Sequence, residues 1–519
     1  MLLLPLARSF AALLLLLSLI GGVAQAEPID QAHAEPIDWS KVDPAQHTFD
    51  HWYLDTIECR PAGYWRSAMT VEGETITTLY HEHSVESHGG ELSTYSHVVV
   101  WVETTNFKPL SITTITSAGS DEVKKTYRFV DDGIELTSEQ NGKSIQRKLP
   151  SIKGDYLTAA QSAIANDLYL KQGRASFEIN TLDIDVGLTP YRTTMARQGE
   201  QASTFTRADG SEAKVWQWRT TYSVFPGFVM KSWIDESNNL VGLEYEIDGM
   251  AFASRLSDEK VVETDFDPPE MSGLSVVVPD RPIKDVEKQR KIVYELNYAA
   301  GEKPVVPITT VKQSVQALGK GKARVTVDLS AKPQPAEDKP AEKYLASSIM
   351  VDHEDKLVRK LAKKAIAELK DGASDQQIAM ACKRFVSQHV SGASLSVGDG
   401  SASQAARTKE GDCTECSVLL AALLRVHGIP SRCVNGLVYS EDDFVGQQDV
   451  FVYHMWTQAW IETEDGKGHW LDLDSAMWRY SAGHLALGTS AMGDDDQQDM
   501  INIVPMQHDL AIKVIETSP

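Results

Sequence analysis

Residues 411–416 read GDCTEC and run straight into the apolar string SVLLAALLRV at 417–426. Four readings of this C-x-x-C stand side by side: a redox dithiol, half of a metal site, a disulfide, or a nucleophile with a second thiol beside it. The apolar string is almost unbroken, so the helix it predicts is buried on most sides. Gly428 and Pro430 stop that helix. Gly411 and Asp412 supply a turn and a polar cap at its start. Cys413 therefore opens a buried helix, where the dipole and the N–H groups of the first turn stabilise a thiolate and can donate to an oxyanion. A nucleophilic cysteine needs that setting.

It also needs a base. In FVYHMWTQAWIE (451–462), period-two alternation puts His454, Trp456, Gln458 and Trp460 on one face of a strand. A turn at 464–468 leads into a return strand, HWLDLDSAM (469–477), on which Trp470, Asp472 and Asp474 share a face. In a hairpin, the residue farther from the turn reaches nearer the level of His454. That favours Asp474 over Asp472 as the group orienting the imidazole. Cys413, His454 and Asp474 then follow the nucleophile–base–orienter logic of acyl transfer. Trp456 and Trp460 either line a substrate groove or pack the core.

In three blocks taken in order, the chain resembles the transglutaminase-like superfamily, especially its bacterial exported members. The blocks are GDCTECSVLLAALLRVHGIPSRCVNGLVY, HMWTQAWIE and HWLDLDSAM, within 345–490. The resemblance implies Cys413 as nucleophile, His454 as general base and acid, and Asp474 as the orienting carboxylate. It also implies a papain-like α+β fold, with a Cys-bearing helix packed on an antiparallel sheet that carries His and Asp. The expected activity is acyl transfer or hydrolysis at a peptide or carboxamide bond of a protein or peptide substrate, with no cofactor and no metal. The chain departs from the family at Cys416, where members often carry His. There the thiol packs in place of His, pairs with Cys413 under oxidation, or binds metal. A thioredoxin-like motif wants a βαβ context, and zinc wants a second ligand pair that Cys433 alone does not supply. The alternatives to an acyl-transfer enzyme are a non-catalytic protein-binding module with a vestigial triad and a C-x-x-C thiol–disulfide oxidoreductase.

The rest of the chain sets the context. Its 519 residues suggest about three domains. A net charge of −23 argues against non-specific nucleic-acid binding, which needs a basic footprint. Residues 1–26 have Arg8, an apolar run and Ala24-Gln25-Ala26, the pattern of a cleaved signal peptide. An exported chain, periplasmic or secreted, with no integral span after cleavage is the expectation; its oligomeric state is open. Residues 27–50 read as a flexible tether. Residues 51–275 read as a β-rich antiparallel domain, with strands such as 96–105, 212–222 and 240–248, Gly-containing turns, and one helix at 156–170. His81 and His83 share a strand face there, with His88 near, and read as solvent-facing polar residues rather than metal ligands. Two further β segments suggest a small separate unit at 285–335, followed by a Pro-rich linker at 336–344. In the 345–490 domain, Leu357, Leu361, Ala365 and Leu369 recur at i+4, and Ile378, Ala381, Cys382, Phe385 and Val386 mark a second amphipathic helix. Cys382 lies on the apolar stripe as a buried structural thiol. Residues 491–519 read as a C-terminal extension whose acidic run Gly493-Asp494-Asp495-Asp496 is a solvated loop.

Overall fold

The computed structural model describes residues 37–519 apart from 89, 119–120, 248, 272–275, 300–305, 334–338, 392–399, 445, 464–466, 478, 495–502, 504–505 and 507–509. The expected signal peptide, the first part of the expected tether and part of the expected linker lie outside the described residues. The chain divides into two compact units, one running to Glu270 and the other Met271–Pro519.

Among the described residues of the first unit, fourteen strands make one antiparallel sheet. Two meanders build it. One runs strand by strand from Phe49–Ile57 to Lys143–Leu149, the other from Met250–Ser257 to Ser176–Thr181, and Phe49–Ile57 pairs with Met250–Ser257 at the join. Local turn chemistry makes such a meander. Asn141 and Gly142, with φ of 50° and 74°, connect two neighbouring strands through the left-handed pair that a two-residue hairpin requires. The expected helix is Ala159–Lys171, started by a capping box between Thr158 and Gln161. Its Ala160 and Ile164 pack with Met69, Ile76 and Phe107. His81 and His83 flank the ring of Tyr64.

Residues 37–50 are not tether. Asp38 and Asp43 cap the short 3-10 helices Trp39–Lys41 and Pro44–His47, and the first strand starts at Phe49. Trp39 meets Phe107 edge-on at 5.2 Å. The polar composition of this stretch conceals two caps and one aromatic anchor.

Among the described residues of the second unit, a five-stranded sheet orders Val276–Val277, Val450–Glu462, Ser431–Ser440 and His484–Ser490, with Gly468–Leu473 also paired to Val450–Glu462. The helix Cys413–Val426 fills the core beside it. Residues 418–424 are fully buried and cluster with Met455, Ala459 and Ile461 of the sheet. Helices Lys356–Ala365, Asp375–His389 and Ala402–Thr408 complete this layer. The stripe expected to run to Leu369 ends at Ala365. Helix Ala402–Thr408 carries no apolar residue larger than alanine, so periodicity gives no signal for it.

The β unit expected to stand apart does not. Strands Lys291–Asn297, Gln313–Gly319 and Lys322–Asp328 are joined in one sheet by Ala511–Ser518, so the C-terminal segment is a structural strand rather than an extension. Ile292, Leu296, Val325 and Ile512 share a single core with Leu437, Phe451 and Leu485 of the larger sheet. A hairpin alone is marginal in water, and the closing strand comes from more than 180 residues away, beyond the reach of local pattern. The linker stretch also folds in part, as the 3-10 helix Glu342–Tyr344, whose Tyr344 ring meets Trp470 edge-on at 5.2 Å. In the acidic run, Asp494 is buried and accepts a hydrogen bond from the Ile349 N–H at 2.9 Å, rather than lying in a solvated loop; Asp495 and Asp496 lie outside the described residues.

Candidate active site

The start of the central helix is built by its own sequence. Asp412 is the N-cap, and its carboxylate accepts from Thr414 N at 2.7 Å. Glu415, three residues on, accepts from Asp412 N at 2.9 Å and from Gly400 N at 3.0 Å. This is a capping box that satisfies first-turn donors in both directions. Gly411 has φ of 152°, and a Cβ there would lie 2.4 Å from that of Glu415, so a side chain has no room. Burial, and then the charge of Asp412, pushes the Glu415 carboxyl up to about 9. Cys413 keeps partial exposure while Thr414, Glu415 and Cys416 are buried. Ser417 Oγ lies 2.6 Å from Cys413 O and 3.1 Å from Met455 O, tying the cysteine to the strand that bears His454.

His454 and Asp474 come together as the hairpin geometry predicts. Gln458 pairs with Asp472 and Thr457 with Leu473, so Asp474 emerges just past the return strand, level with the N-terminal half of Val450–Glu462. His454 Nε2 lies 2.7 Å from Asp474 Oδ2. A carboxylate only accepts, so Nε2 carries a proton and Nδ1 remains for another partner; Cys413 lies close enough to help hold the ring protonated. Asp474 Oδ1 accepts from Ala476 N and Met477 N, both at 2.9 Å.

The electrostatics follow from these contacts. Burial alone would lower the His454 imidazole; the charge and hydrogen bond of Asp474, with the contact to Cys413, reverse this and hold it up at about 10. Burial alone would raise Asp474; His454, helped by His484, holds it well below the usual carboxylate range. A protonated imidazole between a thiol and a fixed carboxylate is the arrangement that stabilises a thiolate–imidazolium pair.

His484 is the residue that sequence reasoning missed. It is fully buried, and its Nε2 lies 3.1 Å from Asp474 Oδ2. It falls outside the three sequence blocks, and a single histidine carries no pattern. His454, Asp474 and His484 place ligand-type atoms within 4.8 Å of one another. The polarity of His484 works against a metal there. Ser481 N donates to its Nδ1 at 3.1 Å, so the ring proton sits on Nε2 and the lone pair a metal would need is occupied.

Asp472 serves another purpose. It accepts from Trp456 Nε1 at 2.9 Å and Gln458 Nε2 at 2.7 Å, bracing the strand pair. Trp456 and Trp460 are buried and pack the core. Cys416 sits in the helical core, and burial pushes its thiol far up. Cys382 and Cys433 are buried too, each pushed up to about 12 by burial. Cys59 is exposed.

Residues 359–475 match the family model described as the transglutaminase-like superfamily. The chain carries a transglutaminase-like domain. That match covers Cys413, His454 and Asp474 but stops short of His484. No curated protein matches the chain. Among solved structures, the chain is similar to a protein assigned as a cysteine protease from Cytophaga hutchinsonii, at 17% identity and a TM-score of 0.27, over 40% of this chain and 81% of that one. It is also similar to a β-barrel-like protein of unknown function from Brucella abortus, at 10% identity and a TM-score of 0.31, over 41% of this chain and 96% of that one. A third, assigned as a protease from Parabacteroides distasonis, has 13% identity and a TM-score of 0.17, over 68% of this chain and 63% of that one. In the transglutaminase-like domain, the three residues expected from the sequence stand together, and His484 joins them.

Proposed function

We propose that the transglutaminase-like domain belongs to an exported cysteine acyl-transfer enzyme of papain-like layout, acting on a peptide or carboxamide bond of a protein or peptide. The observation that carries this reading is the 2.7 Å contact of His454 with Asp474, on a ring that nearby Cys413 helps to keep protonated. The Cys413 thiolate attacks the carbonyl carbon, forming a C–S bond and a tetrahedral oxyanion. The Asp412 cap already takes the Thr414 and Glu415 N–H groups, so the donor offered to the oxyanion is the Cys413 N–H. His454 gives its proton to the leaving amine as the C–N bond breaks, leaving a thioester. Water or an amine, deprotonated by His454, then attacks the thioester and releases the thiolate. Asp474 keeps the imidazole aimed throughout. Residues 1–26 act in this reading as a signal peptide, which places the enzyme in the periplasm or outside the cell.

The test is thiol labelling with iodoacetamide below pH 7, mapped by mass spectrometry. Cys413 is expected to react ahead of the exposed Cys59, and His454→Ala to abolish that preference. Labelling confined to Cys59, or Cys413 labelling that persists undiminished in His454→Ala, rejects the reading. Incubation with glutamine-containing peptides, with and without added amine, separates hydrolysis from amine transfer.

A further inference from the structure

We propose that His484 is a positioning residue for this reaction, holding the Asp474 carboxylate by the same oxygen that meets His454; its catalytic consequence rests on the acyl-transfer reading above. His484 opens the strand His484–Ser490, and His454 lies on Val450–Glu462; the strand Ser431–Ser440 runs between them. On that middle strand, the residue paired with His454 is Gly436. A Cβ at Gly436 would lie 2.1 Å from Leu485 O and 2.8 Å from the Trp456 ring. The missing side chain lets the His484 strand approach, and both imidazoles converge on one carboxylate oxygen.

The ring is fixed on every side. It stacks on Tyr480 with centroids 4.3 Å apart and meets Trp456 edge-on at 5.4 Å. The backbone N–H of Ser481 can only donate, so Nδ1 of His484 accepts and Nε2–H donates to Asp474 Oδ2. Asp474 Oδ2 thus receives two imidazole donors, and Oδ1 receives two backbone donors. Removing His484 leaves Oδ2 with His454 alone, and the carboxylate gains freedom to turn its oxygen out of line. The titratable groups facing His484 are Asp474 and His454, with Asp472 and Tyr480 on neighbouring segments.

The experiment compares wild type, His484→Gln and His484→Phe, all in a Cys59→Ser background. Glutamine retains an N–H donor; phenylalanine retains the ring volume without one. The readouts are imidazole 15N shifts across pH and the rate of Cys413 alkylation. In wild type, the shifts are expected to show His484 as the Nε2–H tautomer. In His484→Phe, the His454 titration should move to lower pH, and Cys413 alkylation near pH 7 should slow by at least about tenfold. His484→Gln should recover most of both. A His484 ring found as the Nδ1–H tautomer overturns the proposal, and this measurement needs no variant. A folded His484→Phe protein with an unchanged His454 titration also overturns it. If wild-type Cys413 alkylates no faster than an exposed thiol, the acyl-transfer reading fails, while the tautomer and the His454 titration still decide the role of His484.

Discussion

Two carboxylates, one on the return strand and one just past its end, are asked to do different work, and their partners decide which does what. Asp474 accepts from two imidazoles and two backbone N–H groups, so every position around it demands an acceptor. Asp474→Asn sets an amide NH2 against donors whichever way it turns. Turnover is expected to fall by about 10³–10⁴ in steady-state assays, with circular dichroism unchanged. Asp472 receives both of its donors on Oδ1, and burial raises its carboxyl. Asp472→Asn keeps that acceptor and removes a buried charge, so activity should stay within about threefold and stability within about 1 kcal/mol. The pH dependence of the His454–Asp474 pair has a definite sign. His454 is raised from 6.5 to about 10, so its contribution to stability is full below its unfolded value and is lost as pH rises through about 10. Asp474 is depressed, so its contribution is present above its ordinary value of 3.8 and is lost as pH falls below it. The stability gap between wild type and Asp474→Asn, from urea melts, should be widest between those limits and narrow on either side.

At the scale of elements, the helix start at 412–415 governs the nucleophile. Asp412→Ala removes the cap and should cost about 1 kcal/mol, read as a fall in the urea midpoint. Glu415 is raised to about 9 by burial and the Asp412 charge. A raised carboxyl stabilises the fold below its unfolded value of 4.5, and the contribution is lost as pH rises through about 9. The helix start should therefore loosen under alkaline conditions, visible as faster amide exchange near Cys413 above about pH 8. Further along, Leu423 is fully buried in the helical core, and Leu423→Ala should cost about 2–5 kcal/mol in the same melts. These elements are also those most legible from sequence: a cap, an apolar run and a Gly-Pro stop are local signals. The helix Ala402–Thr408 is the counterexample, being held by contacts with its neighbours rather than by any stripe of its own.

For the molecule as a whole, the far C-terminus is expected to matter more than its position suggests. Ile512 and Val514 are buried against strands from residues 291–328 in the core that also holds Phe451. Val514→Asp places a charge there without a partner and should destabilise the second unit by about 3 kcal/mol or more, measurable by urea denaturation. The sequence by itself determined the central helix and its cap, the His454 strand and the return strand that leads to Asp474, and several of the antiparallel strands. Each is written in residues that are neighbours along one helix, strand or turn. Only the tertiary structure decided that residues 37–50 fold, that the last strand closes a sheet begun more than 200 residues earlier, and that His484 reaches Asp474 beside a glycine. Those features depend on which distant strands come into register, and that choice is fixed by the shared burial of side chains from separate segments, which no local periodicity records.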